Sequence, residues 1–428
     1  MNHSIGKVLV CVAIVIAFSV PCASTVASSQ DSDLPAEKEW TLLIYWDADN
    51  NLEFCTDFAL ETWRNAMTPD ANINLVAMVD ILSAEGTWIY NIHDGVADIV
   101  EKMPEQNMSD AAVLEEFVFY GLSNYPAEKT LLVMQDHGYS WRGLCVDETD
   151  GGGIMSIDAM VKAISAATAR NEGRGVDVLA MDACSMATIE IAYELRGVVS
   201  FFVASQSVVP YDGLPYDMMV SSLASDASVS AERYSSMIVD QYIEYYSSKT
   251  DYEHLYPYDQ DVITCSAFNI SLIDELGEQF TKMTAALEPL VASHADEIKE
   301  ARDIAVQGKW ANIGGWEYLA DVYTLFEELK GVDAGLDDSI TSFLDAFNAA
   351  LVNEGNSPRF GEIPHGLVVH FPPSLALYNS ESWKWAQQFV YHDIGLDLVD
   401  ESSWVSCLME YYFSAPGTQY CPNHLVTA

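Results

Sequence analysis

Short apolar runs recur along the chain, nearly free of charge: "WTLLIYW" (40–46), "INLVAMVD" (73–80), "KTLLVMQD" (129–136), "VDVLAMD" (176–182) and "SFFVASQ" (200–206). Apolar residues at successive positions must be buried on both faces, which is the signature of strands inside a covered sheet. Helix-like stretches lie between them: Leu52 to Ala66, a segment capped by Ser109 towards Tyr120, one capped by Ser156 towards Thr168, and one ending near Leu195. Strand and helix in alternation predict an α/β fold, a mostly parallel central sheet between two helical layers. Right-handed crossovers then gather the carboxyl ends of the strands along one edge.

Further on, 214–247 reads as helix, "DVITCSAFNI" (261–270) as strand, and 271 to about 352 as mostly helix with a break at "GKWANIGGWEY". "HGLVVHFPPS" (365–374) returns to strand, and a mixed tail contains Trp383 and Trp385. The expected organisation is a flexible linker at 28–39, an α/β domain at 40–270, and a mostly helical C-terminal region at 271–428. A late strand (365–371) of that region returns to the core.

Lys7 and the 13 uncharged residues from Val8 to Val20 precede the small residues "PCASTVASS". The run is shorter than the roughly 20 residues of a membrane span. It reads as an export signal, residues 1–27, cleaved near Ala27. The expected product is secreted or extracytoplasmic, held at a membrane only if this segment stays uncleaved. Cys11 and Cys22 fall in the signal, leaving Cys55, Cys145, Cys184, Cys265, Cys407 and Cys421. Cys407 and Cys421 are close enough in sequence to pair; the others lack metal-ligand spacing.

The formal charge is −45, from 64 Asp and Glu against 19 Lys and Arg. Phosphate backbones and anionic membranes would be repelled, which excludes nucleic acid as a partner. The acidity fits a self-repelling, solvated surface or adaptation to high salt, where screening removes the repulsion.

Two strands end in reactive residues. "LLVMQDHG" delivers His137 and Gly138, and "VLAMDAC" delivers Asp182 and Cys184. The strand carboxyl edge is where open parallel sheets bind ligands. A helix starting just after Cys184 would favour its thiolate. Backbone N–H groups there and at Gly138 could serve a developing oxyanion, and His137 could protonate a leaving amine. The residues alone leave a buried core thiol open as well.

The blocks "LLIYWDADNNLE", "DHGYSWRGLCVDE", "MDACSMATIEIAYEL" and "ASQSVVPYDGLPYD" resemble, in order and spacing, those of the clostripain family of cysteine peptidases, in the caspase-like clan. "HGLVVHFPPS" resembles a later block more weakly. The resemblance implies a caspase-like three-layer α/β/α sandwich and a dyad of His137 and Cys184. It also implies cleavage of peptide bonds after Arg or Lys, so that the partners are protein or peptide substrates. Asp182, two residues before the thiol on an extended backbone, shares its side; with Asp212 of "PYDGLPY" it would form the acidic pocket for the basic side chain. Relatives are often processed at a basic residue between the His and Cys blocks. Here Gly143 to Val161 has no Lys or Arg, and Lys162, Arg170 and Arg174 are the candidates.

No cofactor is required by this chemistry. Some relatives respond to calcium, which Asp147, Glu148 and Asp150 could bind. "DADNNLE" lacks the glycine and closing glutamate of a calcium loop and reads as a turn and helix cap. His365 and His370 fall on opposite faces of their strand. Alternatives are a secreted, inactive protease-like binding module, or a cysteine hydrolase or transpeptidase of the same fold with another substrate.

Overall fold

The computed structural model describes residues 37–250, 263–306, 318–357, 364–378, 390–415 and 417–418. The expected signal, most of the linker, Cys421, Trp383 and Trp385 lie outside them.

Nine strands form one sheet in the order β12-β10-β9-β8-β5-β1-β2-β3-β4. Its centre is parallel: β1 (Lys38–Ala48) lies between β2 (Ile73–Ile81) and β5 (Ala127–Gln135), and β5 continues to β8 (Val178–Asp182) and β9 (Phe201–Ala204). These are the uncharged runs of the sequence. Along β1, Leu43 and Tyr45 face one core and Leu42, Ile44 and Trp46 the other, so both faces are buried.

Helices Ala111–Asn124, Ile157–Arg170 and Ile273–Leu287 cover the first face; Thr56–Ala66, Tyr216–Ser225 and Ala231–Ser247 cover the second. The expected α/β sandwich with a mostly parallel sheet is observed. Side chains cap these helices as the sequence suggests: Ser156 accepts from Ala159 N at 3.3 Å. At Ala111–Asn124 the cap is Asp110, one residue after the expected Ser109, accepting from Ala112 N at 2.9 Å.

Successive strands run outward in opposite directions from the β1–β5 pair, a topological switch point that opens a crevice at the strand carboxyl ends. The remaining strands are antiparallel additions: β3 (Trp88–His93) and β4 (Val96–Lys102) on one side, β10 (Thr264–Asn269) and β12 (Leu351–Asn356) on the other. Of these, β4 and β12 were not expected. The helix Ala334–Ala350 ends where β12 begins.

The late strand β13 (Val368–His370) pairs with β11 (Leu319–Asp321), not with the large sheet. An isolated bridge joins Val368 to Thr188. Leu367, Val369 and Phe371 nonetheless sit in the first core, with the helix Trp404–Ser414 of the C-terminal segment. The described residues form one compact unit. Among the described residues no helix is long and apolar enough to cross a membrane.

Candidate active site

The crevice holds a small solvent-open cleft of about 70 Å³, lined by His137, Asp182, Cys184, Trp46 and Tyr211 among others. Three strand ends build it. β1 leads into the turn Glu53–Cys55, β5 ends two residues before His137, and β8 ends with Asp182, two residues before Cys184. Asp182 and Cys184 thus open on the same cleft, as their i, i+2 spacing implies.

His137 is brought into position by a residue that the sequence did not single out. Its Nε2 lies 2.8 Å from Oδ1 of Asn51. An amide oxygen only accepts, so Nε2 carries the proton and Nδ1 keeps its lone pair. Burial lowers the His137 pKa, so that the ring is neutral at rest and able to take a proton. The neighbouring Asn50 donates to Asp136 at 2.8 Å and to Val146 O at 2.9 Å, tying the end of β1 to the segment that presents His137. Both asparagines belong to "DADNNLE", whose turn chemistry was visible while its long-range contacts were not.

Gly138 packs directly on the loop that carries Cys184. A Cβ there would lie 2.3 Å from Cys184 O and 2.8 Å from Cys184 N. The absence of a side chain is therefore required by Cys184 itself, in addition to any approaching ligand. Neither the Gly138 nor the Cys184 N–H is engaged in a hydrogen bond among the described residues. Two free donors stand on adjacent backbones beside the cleft.

The helix after Cys184 starts later than expected. Thr188 caps Ile189–Glu194, accepting from Ile191 N at 3.1 Å. Residues between are pinned as a loop: Ser185 N donates to Ser207 O at 2.7 Å and Ala187 N to Ser205 O at 2.9 Å, with Ser185 at φ 58. A six-residue helix beginning at Ile189 leaves Cys184 outside its first turn, so the dipole does not act on the thiol as anticipated. The thiol is instead pushed up to about 12, chiefly by burial, against the N–H of Val209, which reaches Sγ at 3.3 Å. Asp182 and Asp136 raise it further.

Asp182 is 4% exposed. It accepts from the Tyr216 hydroxyl at 2.7 Å, and burial lifts its pKa to about 6. Gly213, at φ 69, backs onto it: a Cβ there would lie 2.4 Å from its Oδ2. Asp212 is not brought into the cleft wall, although Tyr211 and Gly213 on either side are. Its Oδ2 accepts from the Tyr245 hydroxyl at 2.7 Å.

Asp147, Glu148 and Asp150 do not converge on one point. Asp147 is turned inward, its oxygens accepting from Met108 N at 2.8 Å and Asp150 N at 2.9 Å, while Glu148 and Asp150 are exposed. Lys162 and Arg170 lie within the helix Ile157–Arg170, each in an ion pair.

A family model described as the clostripain family matches residues 44–357. Clostripain of Hathewaya histolytica is 25% identical over 444 aligned residues, covering 85% of this chain and 82% of that protein. A secreted C11 cysteine protease from Bacteroides thetaiotaomicron, solved with an irreversible peptide inhibitor, superposes with a TM-score of 0.63 at 18% identity. It covers 86% of this chain and 99% of that one. An inactive zymogen C11 protease from Parabacteroides distasonis gives 0.61 at 18% identity with the same coverage. These two structures share the fold, the caspase-like sandwich.

Proposed function

The chain belongs to the clostripain family and is a cysteine-type peptidase, and from that premise we propose an exported endopeptidase that cleaves after Arg or Lys through Cys184 and His137. The carrying observation is that one cleft is lined by a thiol, a neutral imidazole and a buried carboxylate. The clostripain relative supports the specificity, and Asp182 supplies the chemistry for it. A guanidinium or ammonium group entering the cleft meets a carboxylate already oriented by Tyr216.

The reaction uses groups of the chain alone. With the basic side chain seated, the Cys184 proton passes to Nδ1 of His137 and the thiolate attacks the scissile carbonyl. The Gly138 and Cys184 N–H groups stabilise the resulting oxyanion. His137 returns the proton to the leaving amine, and water then hydrolyses the thioester. Asp182 selects the substrate, with Asp212, held by Tyr245 outside the cleft wall, as its expected acidic partner.

Lys7 with the apolar run Val8–Val20 supports export. Intact mass of the mature protein reads signal removal, expected near Ala27. Activity is tested with a short arginyl fluorogenic peptide: wild type hydrolyses it and Cys184→Ala does not. Equal rates would overturn the mechanism, and a preference for Asp or neutral residues would overturn the pocket.

A further inference from the structure

One residue before His137 lies an acidic nest that the peptidase chemistry does not use. Asp47, Asp80 and Asp147 are 0% exposed and Asp136 is 3% exposed. No lysine, arginine or histidine pairs with any of them among the described residues. Buried carboxylates are costly unless something positive joins them.

Within this nest a carboxylate oxygen of Asp47, one of Asp136 and the sulfur of Cys145 all lie within 4.8 Å of one another. Oδ2 of Asp47 is buried and meets no hydrogen-bond donor. The rest of the arrangement is that of oriented ligands. Asp47 Oδ1 accepts from Asp49 N at 3.2 Å. Asp136 accepts from Asn50 Nδ2 at 2.8 Å and from Val146 N. Such outer hydrogen bonds fix the direction of ligating carboxylates. Cys145 is 0% exposed, has φ 60, and sits where the register shifts between β6 (Leu144–Asp147) and β7 (Gly153–Met155). Its thiol makes no hydrogen bond among the described residues.

We propose that Asp47, Asp136 and Cys145 form a binding site for a borderline divalent transition metal of the zinc type. Two carboxylates alone would suit a hard ion, but a thiolate in the set selects against calcium and magnesium. Three protein ligands leave a fourth tetrahedral position for water. Binding forms a sulfur–metal bond and releases the Cys145 proton to solvent. The ion joins the ends of β1 and β5 to the β6–β7 hairpin. It thereby fixes Asp136 next to His137, and the turn carrying Asn51, so occupancy is a means of holding the imidazole in place.

The test uses the full mature chain carrying Cys184→Ala, which removes the cleft thiol as a competing ligand and prevents self-digestion. After chelator dialysis, zinc chloride is expected to bind at one equivalent by elemental analysis and to raise the melting temperature. Cobalt chloride is expected to produce a near-ultraviolet thiolate-to-metal band. Cys145→Ser should abolish the band, and Asp47→Asn should weaken zinc binding at least tenfold. The cobalt spectrum of the unmodified site needs no further variant, so it decides even if those proteins fold poorly. Failure of cobalt to give the band, retention of the band in Cys145→Ser, or stabilisation by calcium chloride equal to that by zinc would overturn the proposal.

Discussion

Replacing Gly138 by alanine would set a methyl carbon 2.3 Å from the carbonyl oxygen of Cys184 and 2.8 Å from its nitrogen. The first distance is about 1 Å short of ordinary contact. Both obstacles are backbone, so no rotamer change relieves them. The Cys184 loop is also pinned on its other side, through Ser185 N to Ser207 O at 2.7 Å and Ala187 N to Ser205 O at 2.9 Å. The His137–Gly138 segment and Cys184 must therefore move apart. Overpacking of this kind costs about 1–3 kcal/mol of stability. A misplacement of about 1 Å between reacting groups can cost about 100-fold in rate. Asp182, on the strand before the loop, should be displaced less. The expected result is a folded protein whose kcat on an arginyl peptide falls about 100-fold while KM changes little. Steady-state kinetics with a thermal melt on the same sample provide the check. A folded Gly138→Ala enzyme with kcat within threefold of wild type would refute the close approach of the two backbones.

Asn51→Ala removes the acceptor for His137 Nε2 from an exposed position, so kcat should fall by roughly 10-fold with KM and melting temperature unchanged; a change confined to KM would contradict a positioning role. On the proposed mechanism, Asp182 would bind a cationic side chain only as carboxylate, which exists above its pKa of about 6 and is lost below it. KM for an arginyl peptide should therefore rise as pH falls through about 6, and a flat KM between pH 5 and pH 7.5, roughly a range bracketing that titration, would count against the assignment. The Tyr216 hydroxyl lowers that pKa, so Tyr216→Phe should move the KM midpoint upward, and an unmoved midpoint would show that the 2.7 Å contact does not govern ionisation.

Legibility in the sequence follows the range of the interaction responsible. β1, β5 and β8 were readable because a strand buried on both faces must be apolar at every position. That His137 and Cys184 would meet at one sheet edge was readable because they follow the ends of such runs. β4 escaped because it is an edge strand, largely exposed and carrying Asp98, Glu101 and Lys102. β12, "LVNEGN", has weak strand propensity and owes its conformation to pairing with β10. The late start of the helix after Cys184 follows from hydrogen bonds to Ser205 and Ser207, which override the helical spacing of "SMATIEIAYEL". Asn51 reaches His137 across 86 positions and Tyr216 reaches Asp182 across 34, and no local pattern encodes either contact.

On the proposed mechanism, the carboxylate two residues before the thiol would link substrate selection to activation. Burial is the main reason that Cys184 is pushed up to about 12, with Asp182 and Asp136 adding to it. At rest the thiol is therefore protonated and poorly reactive. A guanidinium seated on Asp182 cancels one of those two negative fields when the scissile carbonyl arrives, so the thiolate becomes accessible with the correct side chain in place. Asp182→Asn separates the two effects because it removes the charge without supplying a substrate. Hydrolysis of an arginyl peptide should fall at least about 100-fold, since a charge-assisted contact is lost in the transition state. Alkylation of Cys184 by neutral iodoacetamide should move the opposite way. Thiolate fraction rises as the pKa falls, while intrinsic nucleophilicity falls about half as steeply, leaving a gain of roughly threefold for each tenfold gain in thiolate. Measured on one preparation, the two rates must diverge. If alkylation slows along with hydrolysis, Asp182 supports the thiol rather than opposing it, and the coupling of charge recognition to nucleophile activation is wrong.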